Sequence, residues 1–180
     1  MSSDTTDQFR LGSINTDGSN RHGSINKSSS LGEDLIDRFA NMDVDVISLT
    51  EFSPLAALNR LHEVSSDKDY DFVYTGSAAN KIVEVWDREK FSFDINGAYD
   101  ASKNYIGVPL TLRNTEEKVL QIGVHLPNKS GRTQAMTNLK KYIWESKASG
   151  KYNSIHLHGD FNLSTAEVMM CMPDMSWYPY

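Results

Sequence analysis

Five polar residues in this chain are of the types, and at the places, that phosphate or metal chemistry would need: Asn15, Glu51, His125, Asp160 and Asn162. The last two belong to Ile155-His156-Leu157-His158-Gly159-Asp160-Phe161-Asn162, where apolar residues alternate with histidine before a Gly-Asp-x-Asn turn. The alternation predicts a strand with one buried face. Gly159 allows a sharp turn, so a carboxylate and an amide two residues apart project from the strand's carboxyl end. Such a pair can grip a hydrated cation and an oxyanion together; an ordinary Asx turn is the alternative. Asn15, Glu51 and His125 also close apolar runs, and each has a plain reading as a turn residue, a helix cap or a core histidine. Taken together, five such residues at the carboxyl ends of predicted strands mark the edge of a sheet where ligand sites gather.

Those positions depend on the elements that carry them. Phe9–Asn15, 44–49, 70–74, 82–86, 105–112, 119–125 and 154–157 alternate or run apolar as strands do. Leu31, Leu35, Ile36, Phe39 and Met42 share one face of a predicted helix over 31–42, with Ser30 and Glu33 as a capping box. A second helix is expected over 53–64, with Pro54 in its first turn. A third is expected over 133–146, burying Met136, Leu139 and Tyr142 or Ile143 and ending before Gly150. Residues 16–30, dense in Gly, Ser and Asn, read as a long loop. Trp86-Asp87-Arg88 closes a strand and opens a turn. The order is that of a mixed α/β chain with helices covering a sheet. Residues 1–8 read as a flexible N-terminus and 9–180 as a single domain, because no Pro/Gly linker divides the chain.

Composition narrows the function classes. With 180 residues, 39% of them hydrophobic and 23% charged, the chain is that of a globular domain able to bury a core. A net charge of −6 and a pI near 5.3 argue against a nonspecific basic nucleic-acid binder. They leave room for an enzyme that holds phosphates through a metal and a local cationic patch. No apolar run reaches the roughly 18 residues of a membrane span, and no signal-peptide pattern opens the chain. Cys171 is the single cysteine and reads as a small apolar residue. An intracellular location, cytoplasmic or nuclear, is therefore expected.

Leu11–Asn15, DVDVISLTEF (43–52), IGVHLPNKSG (122–131) and IHLHGDFN (155–162) occur in an order and spacing that resembles the endonuclease/exonuclease/phosphatase (DNase I-like) superfamily. The resemblance runs from residue 9 to residue 162. It implies a four-layer αββα sandwich and a Mg²⁺-dependent phosphoesterase, with Mn²⁺ as a substitute ion. Glu51 matches the family's metal-binding glutamate, a hard oxygen ligand, and Asn15 the asparagine that helps hold metal and phosphate. His125 matches a residue that hydrogen-bonds the scissile phosphate. Asp160 matches the aspartate that orients or deprotonates the attacking water, and Asn162 the amide that binds a phosphate oxygen in the transition state. Lys129 and Arg132, in the segment after His125, are candidate substrate-binding cations. The chemistry is coherent: hydrolysis of a phosphodiester builds negative charge on oxygen, which a metal and aligned donors stabilise.

The chain departs from the family at its end. Members continue past the Gly-Asp-x-Asn turn to an Asp-His pair, whereas this chain has no histidine after His158, and Asp174 is followed by Met175. The sandwich is therefore expected to be incomplete on the C-terminal side. The Met-, Trp- and Tyr-rich tail, a protein partner or self-association would then cover the gap; a truncated chain, or a fragment whose continuation supplies the missing strands, is the alternative. Two functions follow. One is a nuclease or phosphodiesterase acting on nucleic acid, or a phosphomonoesterase of the same superfamily. The other is a degenerate member that binds without turnover. His156 and His158 share a strand face and offer either a transition-metal pair or core histidines.

Overall fold

In the computed structural model, residues 9–15, 41, 44–52, 69–75, 81–94 and 100–175 are described. The helices expected over 31–42 and 53–64 and the loop over 16–30 lie outside them, apart from Asn41, which is helical. Two sheets face each other. The first has the order β1-β2-β4-β3, from Leu11–Asn15, Val46–Phe52, Lys81–Asp87 and Tyr70–Tyr74 respectively. The second runs β5-β7-β8-β9, from Phe91–Phe93, Tyr105–Leu112, Lys118–His125 and Ser154–Asp160, and the short β6 (Asp100–Ala101) also pairs with β7. The β1–β2 and β8–β9 pairs are parallel; the other pairings are antiparallel.

Alternation decides which residues meet between the sheets. Leu11, Val46, Ile82, Trp86, Ile106, Val108, Leu110 and Val119 pack there with Phe91 as one apolar cluster. The intervening residues of the second sheet, Leu120, Ile122 and Val124, turn the other way. They pack against α1 (Arg132–Ala148) through Ala135, Met136, Leu139 and Ile143, and against α2 (Thr165–Cys171) through Val168. Ile47, Leu49, Val83 and Val85 are buried as well, so β2 and β4 have apolar residues on both faces and read as nearly continuous hydrophobic runs. Tyr142 is half-buried and stacks on Tyr105 at 5.0 Å, while Ile143 is buried.

Three elements were not expected from the sequence. Phe91–Phe93 and Asp100–Ala101 are too short to show a period, and Thr165–Cys171 is a single two-turn helix. The helix does carry a readable signal. Ser164 Oγ accepts from Glu167 N, and the Glu167 side chain accepts from Ser164 N, forming a capping box. No helix among the described residues is long and apolar enough to cross a membrane.

Candidate active site

The two parallel pairs end at the same edge of the sandwich. In the first sheet Asn15 is in register with Thr50, next to Glu51; in the second, His125 is in register with Asp160. Strand β1 lies across from β9, and β2 across from β8. Residues 145 positions apart therefore touch: Asn15 Nδ2 donates to Asp160 Oδ2 at 2.9 Å and to Glu51 Oε1 at 3.0 Å. His125 Nε2 lies 3.4 Å from the same Glu51 oxygen. The structure thus brings the side chains of four of the five sequence-derived residues into one polar contact network.

Glu51 reaches this network only because β2 breaks its alternation. A regular strand would put residue 51 on the face shared by Ile47 and Leu49, away from the facing sheet. Instead the register with β4 shifts between Leu49 and Phe52, and Glu51 takes a left-handed φ of 55°. A bulge at a strand end re-aims a side chain, and the strain is offset by the surrounding pairing.

Asp160 and Asn162 are fixed by the turn that follows β9. Asp160 Oδ1 accepts from Asn162 N at 2.9 Å, and Asn162 sits at φ 50°. One amide hydrogen of Asn162 is committed to Leu126 O at 2.8 Å, and Leu126 N donates to Asp160 O at 2.9 Å. Asn162 is therefore latched to the segment leaving His125, with its second amide hydrogen and its carbonyl oxygen still available. His125 N is in turn held by Asn104 O at 2.9 Å, a partner that no sequence pattern signalled.

Lys129 and Arg132 differ in role. Lys129 is exposed in the turn after His125. The Arg132 guanidinium is turned to Pro127 O at 3.1 Å and Asn128 Oδ1 at 3.5 Å, so it braces that turn instead of reaching the other five.

One group of His, Asp and Glu side chains among the described residues converges tightly enough to share an ion. Glu51, His125 and Asp160 each offer a ligand atom, all within 4.8 Å of one another. Two carboxylates and an imidazole are a donor set that could hold a divalent cation. The Asn15 amide between the carboxylates offsets their mutual repulsion without adding charge. A cavity of about 1200 Å³ opens beside this group; it runs along β1 and β9, and Asp160 and Asn162 are in its wall.

Beneath the site lies a second polar group. His158 Nδ1 donates to Gly12 O at 3.0 Å, and its Nε2 is 2.9 Å from Glu84 Oε2. Burial pushes the His158 pKa down. The nearby Glu84 carboxylate and the Gly12 carbonyl outweigh it, so the group is held above its ordinary value. His156 instead bonds Ser154 Oγ at 2.8 Å; burial, then the neighbouring His158, lowers its pKa. These contacts make both histidines partnered inward-facing groups. Glu84 was not singled out from sequence, because a lone glutamate in IVEVW reads as an outward residue.

No protein-family model and no curated protein matches this sequence. Solved structures do match the fold. A mannosyl-6-phosphatase of Bacteroides thetaiotaomicron superposes with a TM-score of 0.68 at 14% identity, covering 93% of this chain and 71% of that one. TDP2 of D. rerio, complexed with single-strand DNA product, gives 0.65 at 16% identity, covering 91% and 64%. An endonuclease/exonuclease/phosphatase family protein, also of B. thetaiotaomicron, gives 0.59 at 16%, covering 74% and 55%. The fold is that of the endonuclease/exonuclease/phosphatase superfamily, and the chain spans from about half to about seven-tenths of the length of these similar structures.

Proposed function

We propose that this protein is a divalent-metal-dependent phosphoesterase whose preferred substrates are phosphodiesters of nucleic acid. The observation that carries the reading is the meeting of Asn15 and Glu51 from one sheet with His125 and Asp160 from the other. Glu51, with Asp160 within reach, would hold Mg²⁺ or Mn²⁺, leaving the His125 ring for the phosphate. The ion supplies charge stabilisation for the developing oxyanion.

The chain's own residues carry the remaining chemistry. Asp160, held by two hydrogen bonds, orients a water and accepts its proton. The free amide hydrogen of Asn162 and the His125 ring donate to phosphate oxygens as negative charge builds on them. Asn15 keeps the two carboxylates at their spacing. Lys129 sits in the turn next to His125 and meets the phosphates that flank the scissile one.

The similar structures include one protein complexed with single-strand DNA product and one mannosyl-6-phosphatase. The test therefore offers both substrate classes: single-stranded and plasmid DNA, RNA, and phosphorylated sugars. Each is incubated with Mg²⁺, Mn²⁺ or EDTA, beside Asp160→Ala. Metal-dependent cleavage of the nucleic acids that disappears in the variant supports the reading. Turnover of the sugar phosphates alone moves the protein to the phosphomonoesterases. A folded protein that hydrolyses neither class is a binding module, and the reading is then wrong.

A further inference from the structure

Glu84 and His158 face each other 2.9 Å apart in the middle of the protein interior, with side-chain exposures of 0% and 7%. Their 2.9 Å contact departs from the angle of an aligned hydrogen bond, and the side chains of Ser48 and Gln121 nearby are buried with no hydrogen-bond partner. Such a group is costly to bury, and well-packed apolar residues would stabilise the interior as well or better. Stability is therefore a poor explanation for it.

Its placement suggests another. His158 is two residues before Asp160 on β9. The carbonyl it holds, Gly12, is three residues before Asn15 on β1. Glu84 is in register with Ser48, three residues before Glu51 on β2. A Cβ added at Gly123, two residues before His125 on β8, would come within 1.8 Å of Glu84 Oε1 and 2.8 Å of Ser48 Oγ. The carboxylate therefore fills the space that this glycine leaves open. Every strand that delivers a residue to the four-residue network touches the pair, about 7–10 Å below the site at roughly 3.3 Å per residue.

We infer that Glu84 and His158 are positioning residues, a polar brace between the sheets that sets the spacing of Asn15 and Glu51 against His125 and Asp160. A purely apolar layer would let the two sheets slide over each other at little cost. A polar pair anchored to Gly12 O on one sheet and seated against Gly123 on the other fixes one relative placement, the specificity role for which buried polar groups are known in some proteins. The inference builds on the proposed use of the site, but the placement it describes exists without substrate or metal.

The experiment compares the wild type with the double variant E84M/H158L and with L139A, which opens a cavity under α1 on the other face of the second sheet. Two readouts are taken: the Asn15 side-chain amide resonances without any ligand, and the affinity for Mn²⁺ alone. The double variant should melt no lower than the wild type. Its Asn15 signals should nevertheless move towards those of a free amide, and Mn²⁺ binding should weaken about tenfold, as for loss of outer-shell support at a metal site. L139A should melt lower and keep both properties. A folded double variant with wild-type Asn15 signals and Mn²⁺ affinity overturns the inference. Should the double variant fail to fold, E84Q keeps the shape and removes the charge; unchanged Asn15 signals there overturn it equally. A wild type that binds no Mn²⁺ refutes the proposed function, and the Asn15 resonances then decide the brace alone.

Discussion

Gly159→Ala should damage this protein more than its small size suggests. Gly159 has φ +130°, a backbone conformation that side chains rarely adopt, and an added Cβ would come within 2.2 Å of Val124 O and 2.8 Å of Val124 N. Both atoms are backbone of the neighbouring strand, in register with Gly159, so no side-chain rotation relieves the overlap. The unfavourable φ costs roughly 1–3 kcal/mol. Forcing β9 away from β8 adds about 1–3 kcal/mol by analogy with overpacked cores. The expected loss is therefore about 2–6 kcal/mol, read as a lower urea midpoint at unchanged slope. The matched control is Gly131→Ala: φ is +82° there, but a Cβ would meet nothing within 4 Å. It should cost about 1 kcal/mol, the strain alone. Because Asp160 follows Gly159 directly, a displacement of about 1 Å would also cost on the order of a hundredfold in any hydrolysis. A Gly159→Ala protein within 1 kcal/mol of the wild type would refute the steric reasoning.

Three further outcomes are expected. Asn15→Asp replaces the donor shared by Glu51 and Asp160 with a third carboxylate; stability in EDTA should fall by about 2 kcal/mol, and Mg²⁺ should restore part of it, as thermal melts would show. Ser164→Ala removes the hydroxyl that accepts from Glu167 N, while the backbone N–H of residue 164 can still donate to the Glu167 side chain; it should cost about 1 kcal/mol in urea titrations. His156 has a lowered pKa, so the unfolded chain binds its proton first. Its contribution is complete above the unfolded value near 6.5 and is lost as pH falls towards the folded value; His156→Gln should flatten the fall of urea midpoint with decreasing pH over that window.

How much of this was legible in the sequence depends on what sets each feature. Seven of the strands and α1 announce themselves because their periods follow from burying one face or both. The elements alone gave a mixed α/β chain with helices covering a sheet; the second, facing sheet came only with the resemblance carried by the motifs. The Glu51 orientation was not legible: alternation alone assigns residue 51 to the wrong face, and only the bulge corrects it. Lys129 and Arg132 looked equivalent in Asn-Lys-Ser-Gly-Arg, yet Arg132 is committed to the carbonyl of Pro127. Phe91–Phe93 and Asp100–Ala101 exist because β7 offers them an edge, a tertiary cause with no local trace. The Glu84–His158 pair was out of reach for the same reason, since its partners are separated by most of a sheet and come from opposite layers.

That separation also explains why the site lies where it does. A metal or phosphate group needs several donors held against their own repulsion, and one sheet edge spaces its residues about 4.8 Å apart in a single row. Two facing sheets provide two rows. Here each contributes a parallel pair, β1–β2 and β8–β9, whose carboxyl ends coincide. The cost is that the geometry depends on how two separately hydrogen-bonded layers sit on each other, which backbone pairing within either layer cannot fix. Apolar contacts such as Val46, Ile106 and Val119 hold the layers together but permit small shifts. A directional contact between layers is what such a site requires, and the pair that supplies one lies beneath the four residues that meet.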